Sequence, residues 1–185
     1  MAYPLAAGYS VEDLGWLRAE LGVAHLELDP WGSLIVSPAT DEHEVAVAVL
    51  HEQVVRQLDL PPGSVLANGF AWKVPGGSGY TNVADLTVLA PGWRRIGDVD
   101  VQPPPLLVVE VGSPSTRAVD RGRKLADYRL GGAVVYLLVD LPSAGGPQKA
   151  AFEAHAEDGV TVATGAIDLV IAGQPLRLDL GLAPA

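Results

Sequence analysis

An α/β fold with a mixed central sheet is predicted by three features of this chain. Between Pro103 and Asp140 the sequence runs strand, turn, helix, strand; residues 24–28 and 33–37 are apolar-rich runs flanking the turn Asp29-Pro30-Trp31-Gly32; and residues 40–58 have helical periodicity and stop at Pro61-Pro62-Gly63. Leu106, Leu107, Val108, Val109 and Val111 make a β-rich block long enough for one strand. Ser113, Pro114, Ser115 and Thr116 suit a turn and a helix start, and Gly131-Gly132 close the helix before a second apolar strand at 133–140. The simplest such succession is a right-handed parallel crossover. In open α/β sheets the carboxyl ends of these strands are where ligands usually bind.

Taken in order, residues 10–21 begin with a Ser cap and acids, and Leu14, Leu17 and Leu21 recur at helical spacing. The Pro/Gly turn at 29–32 between two apolar runs then signals a β-hairpin, with Glu27 in its first strand. The next helix opens with a Thr or Asp cap and the acids Asp41, Glu42 and Glu44, and carries Val45, Val49 or Leu50, and Val54 or Leu58. His43 and His51 on it are too far apart for the adjacent-turn spacing of a metalloprotease pair and read as surface or hydrogen-bonded histidines. Residues 64–74 and 81–89 read as antiparallel strands joined by the loop Pro75-Gly76-Gly77-Ser78-Gly79. That loop lacks the Lys-Ser/Thr ending of a phosphate-binding loop and joins strand to strand. Residues 91–105, with Trp93, Arg94 and Arg95, read as loop; 148–154 and 159–163 as a hairpin; and the tail as a short strand or turn.

At 185 residues and 49% hydrophobic, the chain can bury a substantial core and is expected to form a single domain over 1–185. The absence of cysteine excludes disulfides, thiolate catalysis and cysteine-ligated zinc. No apolar run approaches the ~18 residues of a membrane helix, and the first residues carry no leader pattern, so a soluble cytoplasmic protein is expected. A net charge of -10 argues against indiscriminate binding to polyanions. Locally the sign reverses: Arg117, Arg121, Arg123, Lys124 and Arg129 outnumber Asp120 and Asp127 over 117–129.

Asp85 and Glu110 stand out as acids inside apolar strands, a costly placement unless each is paired or metal-bound. A lone acid in a strand ordinarily lies on an exposed face. Here, Lys124 lies on the helix that must pack back onto the same sheet, and this favours a site. Two such carboxylates suit a hard divalent ion, which acidifies water and stabilises charge on phosphate while a lysine orients that water. The set is suited to phosphodiester hydrolysis.

The string PPPLLVVEVGSPSTRAVDRGRKLADYRLGGAVVYLLVD closely resembles the signature of the Uma-type family of restriction endonucleases, within the PD-(D/E)XK nuclease superfamily. The resemblance extends over nearly the whole chain, including the hairpin with Glu27, the Ser-Pro and His43 before the long helix, NVADLTV with Asp85, and LRLDLG near the end. It implies a restriction endonuclease-like fold, a mixed sheet flanked by helices and entered through a β-hairpin. It also implies an endonuclease that uses Mg²⁺, or Mn²⁺, to cut DNA. Asp85 and Glu110 would be metal ligands, the backbone carbonyl of Val111 a third, and Lys124 would position the attacking water. Glu27, His43 and Asp120 are additional candidates, Asp120 bracing Lys124 from one helical turn away. Tyr128, one turn further on, reads as packing. Phosphate contacts would come from Arg94, Arg95, Arg117 and Arg121, Ser113 and Ser115 would cap the helix, and a homodimer is compatible with the pattern. Two positions depart from the family: Ala84 stands where a proline usually precedes the first acid, and Gly112 where a lysine would follow the second. Two rival functions remain open, a catalytically silent binding or regulatory protein on the same scaffold, and a metal-dependent hydrolase of small phosphoesters.

Overall fold

A computed structural model describes residues 8–22, 26–29, 31–36, 40–73, 81–96, 100–112, 117–142 and 149–181. The predicted glycine loop at 75–79 and the Ser113 and Ser115 caps lie outside the described residues. A 3₁₀ turn, Val11–Asp13, leads into α1 (Leu14–Leu21), which packs Leu14 and Leu17 on Leu26 and Leu28 of the hairpin β1 (Leu26–Leu28) and β2 (Leu34–Val36). Asp29 builds the turn, its Oδ1 accepting the N–H groups of Trp31 and Ser33 at 2.8 Å each. The long helix α2 (Asp41–Gln57) starts at Thr40, whose hydroxyl accepts the N–H of His43, and has three acids in its first turn, where the helix dipole favours them.

The strands β3 (Val65–Lys73), β4 (Thr81–Val88), β7 (Leu107–Gly112), β8 (Val135–Asp140), β9 (Ala151–Ala156) and β10 (Gly159–Thr164) join the hairpin in one eight-stranded sheet. Its order is β10-β9-β8-β7-β4-β1-β2, with β3 also on β4. Among the described residues only β7 and β8 pair in parallel; the other pairs in the sheet are antiparallel. Every residue of β7 is buried, as a strand covered on both faces must be. One face carries α2 and the hairpin of β11 (Ala166–Ile171) with β12 (Gln174–Asp179), around Leu50, Val54, Val109, Leu137, Phe152 and Leu178. The other carries residues 117–130, through Val108, Tyr128, Tyr136 and Leu138.

Two elements differ from expectation. Within 91–105 the strands β5 (Arg94–Ile96) and β6 (Asp100–Gln102) pair with each other instead of forming a loop. The tail forms a full hairpin, held to α2 by glutamine side chains that imitate a neighbouring strand. Gln53 accepts the Asp179 N–H and donates to its carbonyl, at 2.8 and 2.7 Å. Gln57 does the same with Arg177, at 2.9 and 2.8 Å, and the Gln174 amide exchanges bonds with the Asp59 backbone. The edge of β12 is thereby covered, which removes a template for unwanted strand pairing.

Candidate active site

The site forms where β4 and β7 part. They pair only from Leu86↔Val109 to Val88↔Leu107; beyond that β1 comes alongside β4, with Leu28 opposite Thr81. On the other side of β4, Asn68 and Gly69 of β3 stand against the single residue Asp85, a two-against-one bulge. Beside it, Ala84 packs toward the 117–130 helix while Leu86 packs toward α2, so side-chain alternation along β4 is interrupted at Asp85. Asp85 sits at the switch. Its Oδ2 accepts the N–H of Val111 at 2.7 Å, and Glu27 Oε1 accepts the N–H of Val83 at 2.9 Å. Side-chain carboxylates thus serve amides in the widened gap, consistent with the rule that buried N–H groups find partners.

Glu110, the residue before Val111, points the other way, into the helical segment 117–130. This segment runs as α3 (Arg117–Val119), a π turn (Asp120–Lys124) and α4 (Leu125–Leu130), the Leu125 N–H reaching the Asp120 carbonyl five residues back. A π turn advances roughly 82° per residue against 100° in an α-helix, so it cancels the drift of side chains four apart. Asp120, Lys124 and Tyr128 therefore share one column, all buried. Lys124 Nζ lies 2.8 Å from Glu27 Oε1, 3.1 Å from Glu110 Oε2 and 3.9 Å from Asp120 Oδ1. The Tyr128 hydroxyl donates to Glu110 Oε1 at 2.9 Å, so Tyr128 is a partner of the acid as well as packing, and the Tyr136 hydroxyl donates to the Asp120 carbonyl at 3.1 Å.

Burial drives the Glu110 carboxyl well above the usual range; Lys124 opposes this, and the charges of Asp85, Glu27 and Asp120 reinforce it. Burial alone would push the Lys124 ammonium down, but Glu110 and Glu27 outweigh it and hold it above the ordinary lysine value. The neighbouring carboxylates thus favour the charged form of Lys124.

Residues 21–177 match the model of the Uma2 family, described as "Putative restriction endonuclease". This chain belongs to the Uma2 family. Its fold is also that of a solved structure described as a "putative nuclease belonging to DUF820" from Anabaena variabilis, with a TM-score of 0.55 at 12% identity over 83% of each chain. No curated protein matches the chain.

For this Uma2 member the structure gathers Glu27, Asp85, Glu110, Asp120 and Lys124 around the fork, and adds His43. Rather than lying free on the surface of α2, His43 places Nε2 3.2 Å from Asp85 Oδ2. The hydrogen bond to Asp85 raises its pKa, against the effect of burial. Sequence reasoning missed a second buried set beside the first: Arg123 Nη1 donates to Asn82 Oδ1 at 2.8 Å, Asn82 Nδ2 donates to Asp127 Oδ2 at 3.0 Å, and Arg123 Nη2 is 3.9 Å from Glu27. The only sequence signal for it was the Arg123–Asp127 spacing of four, which ordinarily marks a solvated helix face.

The predicted phosphate-contact arginines are spread apart. Arg121 binds Asp140 at 2.8 Å and Glu153 at 2.9 Å, and Arg117 binds Asp140 at 3.2 Å. Asp140 is opposite Gly112 in the β7–β8 register, so these two arginines stand at the carboxyl end of the site strand. Arg94 is exposed on β5, and the side chain of Arg95 lies outside the described residues.

Proposed function

We propose that this Uma2 protein is a metal-dependent DNA endonuclease, in which Asp85 and Glu110 hold Mg²⁺, or Mn²⁺ in its place, and Lys124 positions the attacking water. The observation that supports the reading is the fork itself: Asp85 Oδ2 accepts the N–H of Val111, the residue after Glu110 on the facing strand, and the charge of Asp85 is felt at the Glu110 carboxyl. The donors fit such an ion. Mg²⁺ prefers oxygen, accepts one or two carboxylates and keeps several waters, and the Val111 carbonyl would be a third oxygen ligand. Among the described residues no three His, Asp or Glu side chains meet at metal-ligand spacing, which leaves most of the coordination to water. Charge also favours a cation: the buried acids Glu27, Glu110 and Asp120 surround Lys124, Asp127 pairs with Arg123, and Asp85 pairs with His43.

The ion would acidify water and stabilise charge developing on the phosphate. Lys124, favoured as ammonium by Glu27 and Glu110, would orient the water by donating hydrogen bonds and would offset negative charge. His43 steadies Asp85, and Tyr128 steadies Glu110. Arg94, Arg95, Arg117 and Arg121 would contact the DNA backbone, the last two already oriented by Asp140.

The test is cleavage of single- and double-stranded DNA with Mg²⁺, Mn²⁺ or chelator, for wild type and Glu110→Gln. Cleavage should require metal and fall by about 100-fold or more in the variant. Wild-type activity in Glu110→Gln, or in chelator, would sink the assignment. Turnover of a small phosphoester without DNA cleavage would support a small-phosphoester hydrolase instead.

A further inference from the structure

The sheet ends on one side at β10, whose outer edge pairs with no other strand among the described residues. The direction of its free hydrogen-bonding groups follows from the register. Gly165 N–H donates to the Ala150 carbonyl at 2.8 Å, next in line to Thr164↔Ala151. Bonded and non-bonded pairs alternate in an antiparallel ladder. Ala163, Thr161 and Gly159 therefore bond inward to β9, while Val160, Val162 and Thr164 turn their N–H and C=O groups outward.

Natural edge strands usually carry charge, proline or a bulge that blocks further pairing. Residues 159–164, Gly-Val-Thr-Val-Ala-Thr, carry no charge and no proline, and Val160 and Val162 are 57% and 71% exposed. The strand is also complementary to itself. With a two-fold axis at Thr161, Val160 of one copy faces Val162 of the other in a hydrogen-bonded pair, and Glu157 comes opposite Gly165. Lys149 lies over Gly165, its Cδ 3.3 Å from where a Cβ would stand, so the acidic turn of one copy meets a lysine of the other. We propose that β10 is a homodimer interface, pairing antiparallel with β10 of a second copy to make one continuous sheet.

This proposal is independent of the nuclease reading, and its test reads association alone. One strand pair is at the small end of specific interfaces, so dimer should accumulate between about 10 and 100 µM in sedimentation velocity. Val162→Lys should remain monomeric at those concentrations with its thermal midpoint within about 2 °C of wild type. Because the chain has no cysteine, Thr161→Cys introduces a single thiol at the axis. Directly opposed non-bonded residues have Cα atoms about 4.5 Å apart, within disulfide range. Mild oxidation should therefore cross-link Thr161→Cys well beyond a collision control, Glu52→Cys on exposed α2. A wild type that is monomeric up to about 1 mM, a dimer that Val162→Lys leaves intact, or cross-linking no greater than the control would each overturn the proposal. Should Val162→Lys fail to fold, the cysteine comparison decides alone.

Discussion

At Lys124 two large effects act on one ammonium group. Its removal from water disfavours the charge, while Glu110 and Glu27 at 3.1 and 2.8 Å favour it more strongly. Lys124→Met should therefore leave buried carboxylates without their counter-ion and cost about 3 kcal/mol at neutral pH. The cost should depend on pH in one direction. Glu110 has a folded pKa above its unfolded one, so below the unfolded value it is protonated in both states and the lost lysine matters least. As pH rises from there the unfolded carboxyl ionises, while the buried one, without the lysine that opposes its raised pKa, ionises less readily than in the wild type, so the deficit grows. Urea denaturation of wild type and variant at pH 4 and pH 7.5 checks this, and an equal deficit at both would contradict it. Asp85, Glu110 and Lys124 were legible in the sequence because ionisable side chains in apolar strands, or on a helix crossing them, need partners. Asn82, Arg123 and Asp127 were not, since nothing in their spacing separates a buried network from a wet surface.

Among the elements, the π turn at Asp120–Lys124 had no counterpart in the sequence reading, which treated 116–130 as one regular helix. Periodicity does not report a single wide turn, because the apolar positions on either side still fit an α-helix within a residue. Gly122 lies in that turn, exposed, with nothing within 4 Å of where a Cβ would stand. Gly122→Ala should thus stabilise the protein by about 0.5–1 kcal/mol, mainly by restricting the unfolded chain, and leave cleavage intact. A thermal melt with a cleavage assay decides it; loss of stability would mean that the turn depends on glycine's backbone freedom. The β3 bulge was equally hidden, although Gly69 inside a strand is the kind of residue that marks one.

For the whole molecule, the strand–helix–strand unit, the β1–β2 hairpin and α2 were legible because each buries a continuous apolar face. The β5–β6 pair was not, since among the described residues its three-residue strands pair only with each other. A further expectation belongs to this scale. If the acid-rich fork takes up Mg²⁺, binding to the folded state alone raises stability by about 1.4 kcal/mol at ten times the dissociation constant. The thermal midpoint of wild type should rise with Mg²⁺ while that of Asp85→Asn stays flat; a rise in both would place the ion elsewhere. The glutamines on α2 carry a consequence of their own. Four residues of helix advance about 6.0 Å and two residues of strand about 6.8 Å, so Gln53 and Gln57 act as a ruler whose marks nearly match those of β12. The mismatch of about 0.8 Å per mark accumulates, and the third contact, between Asp59 and Gln174, falls beyond the end of the helix. Because this ruler reads only backbone, the side chains at 177 and 179 are free to change, whereas a proline at either would erase a mark.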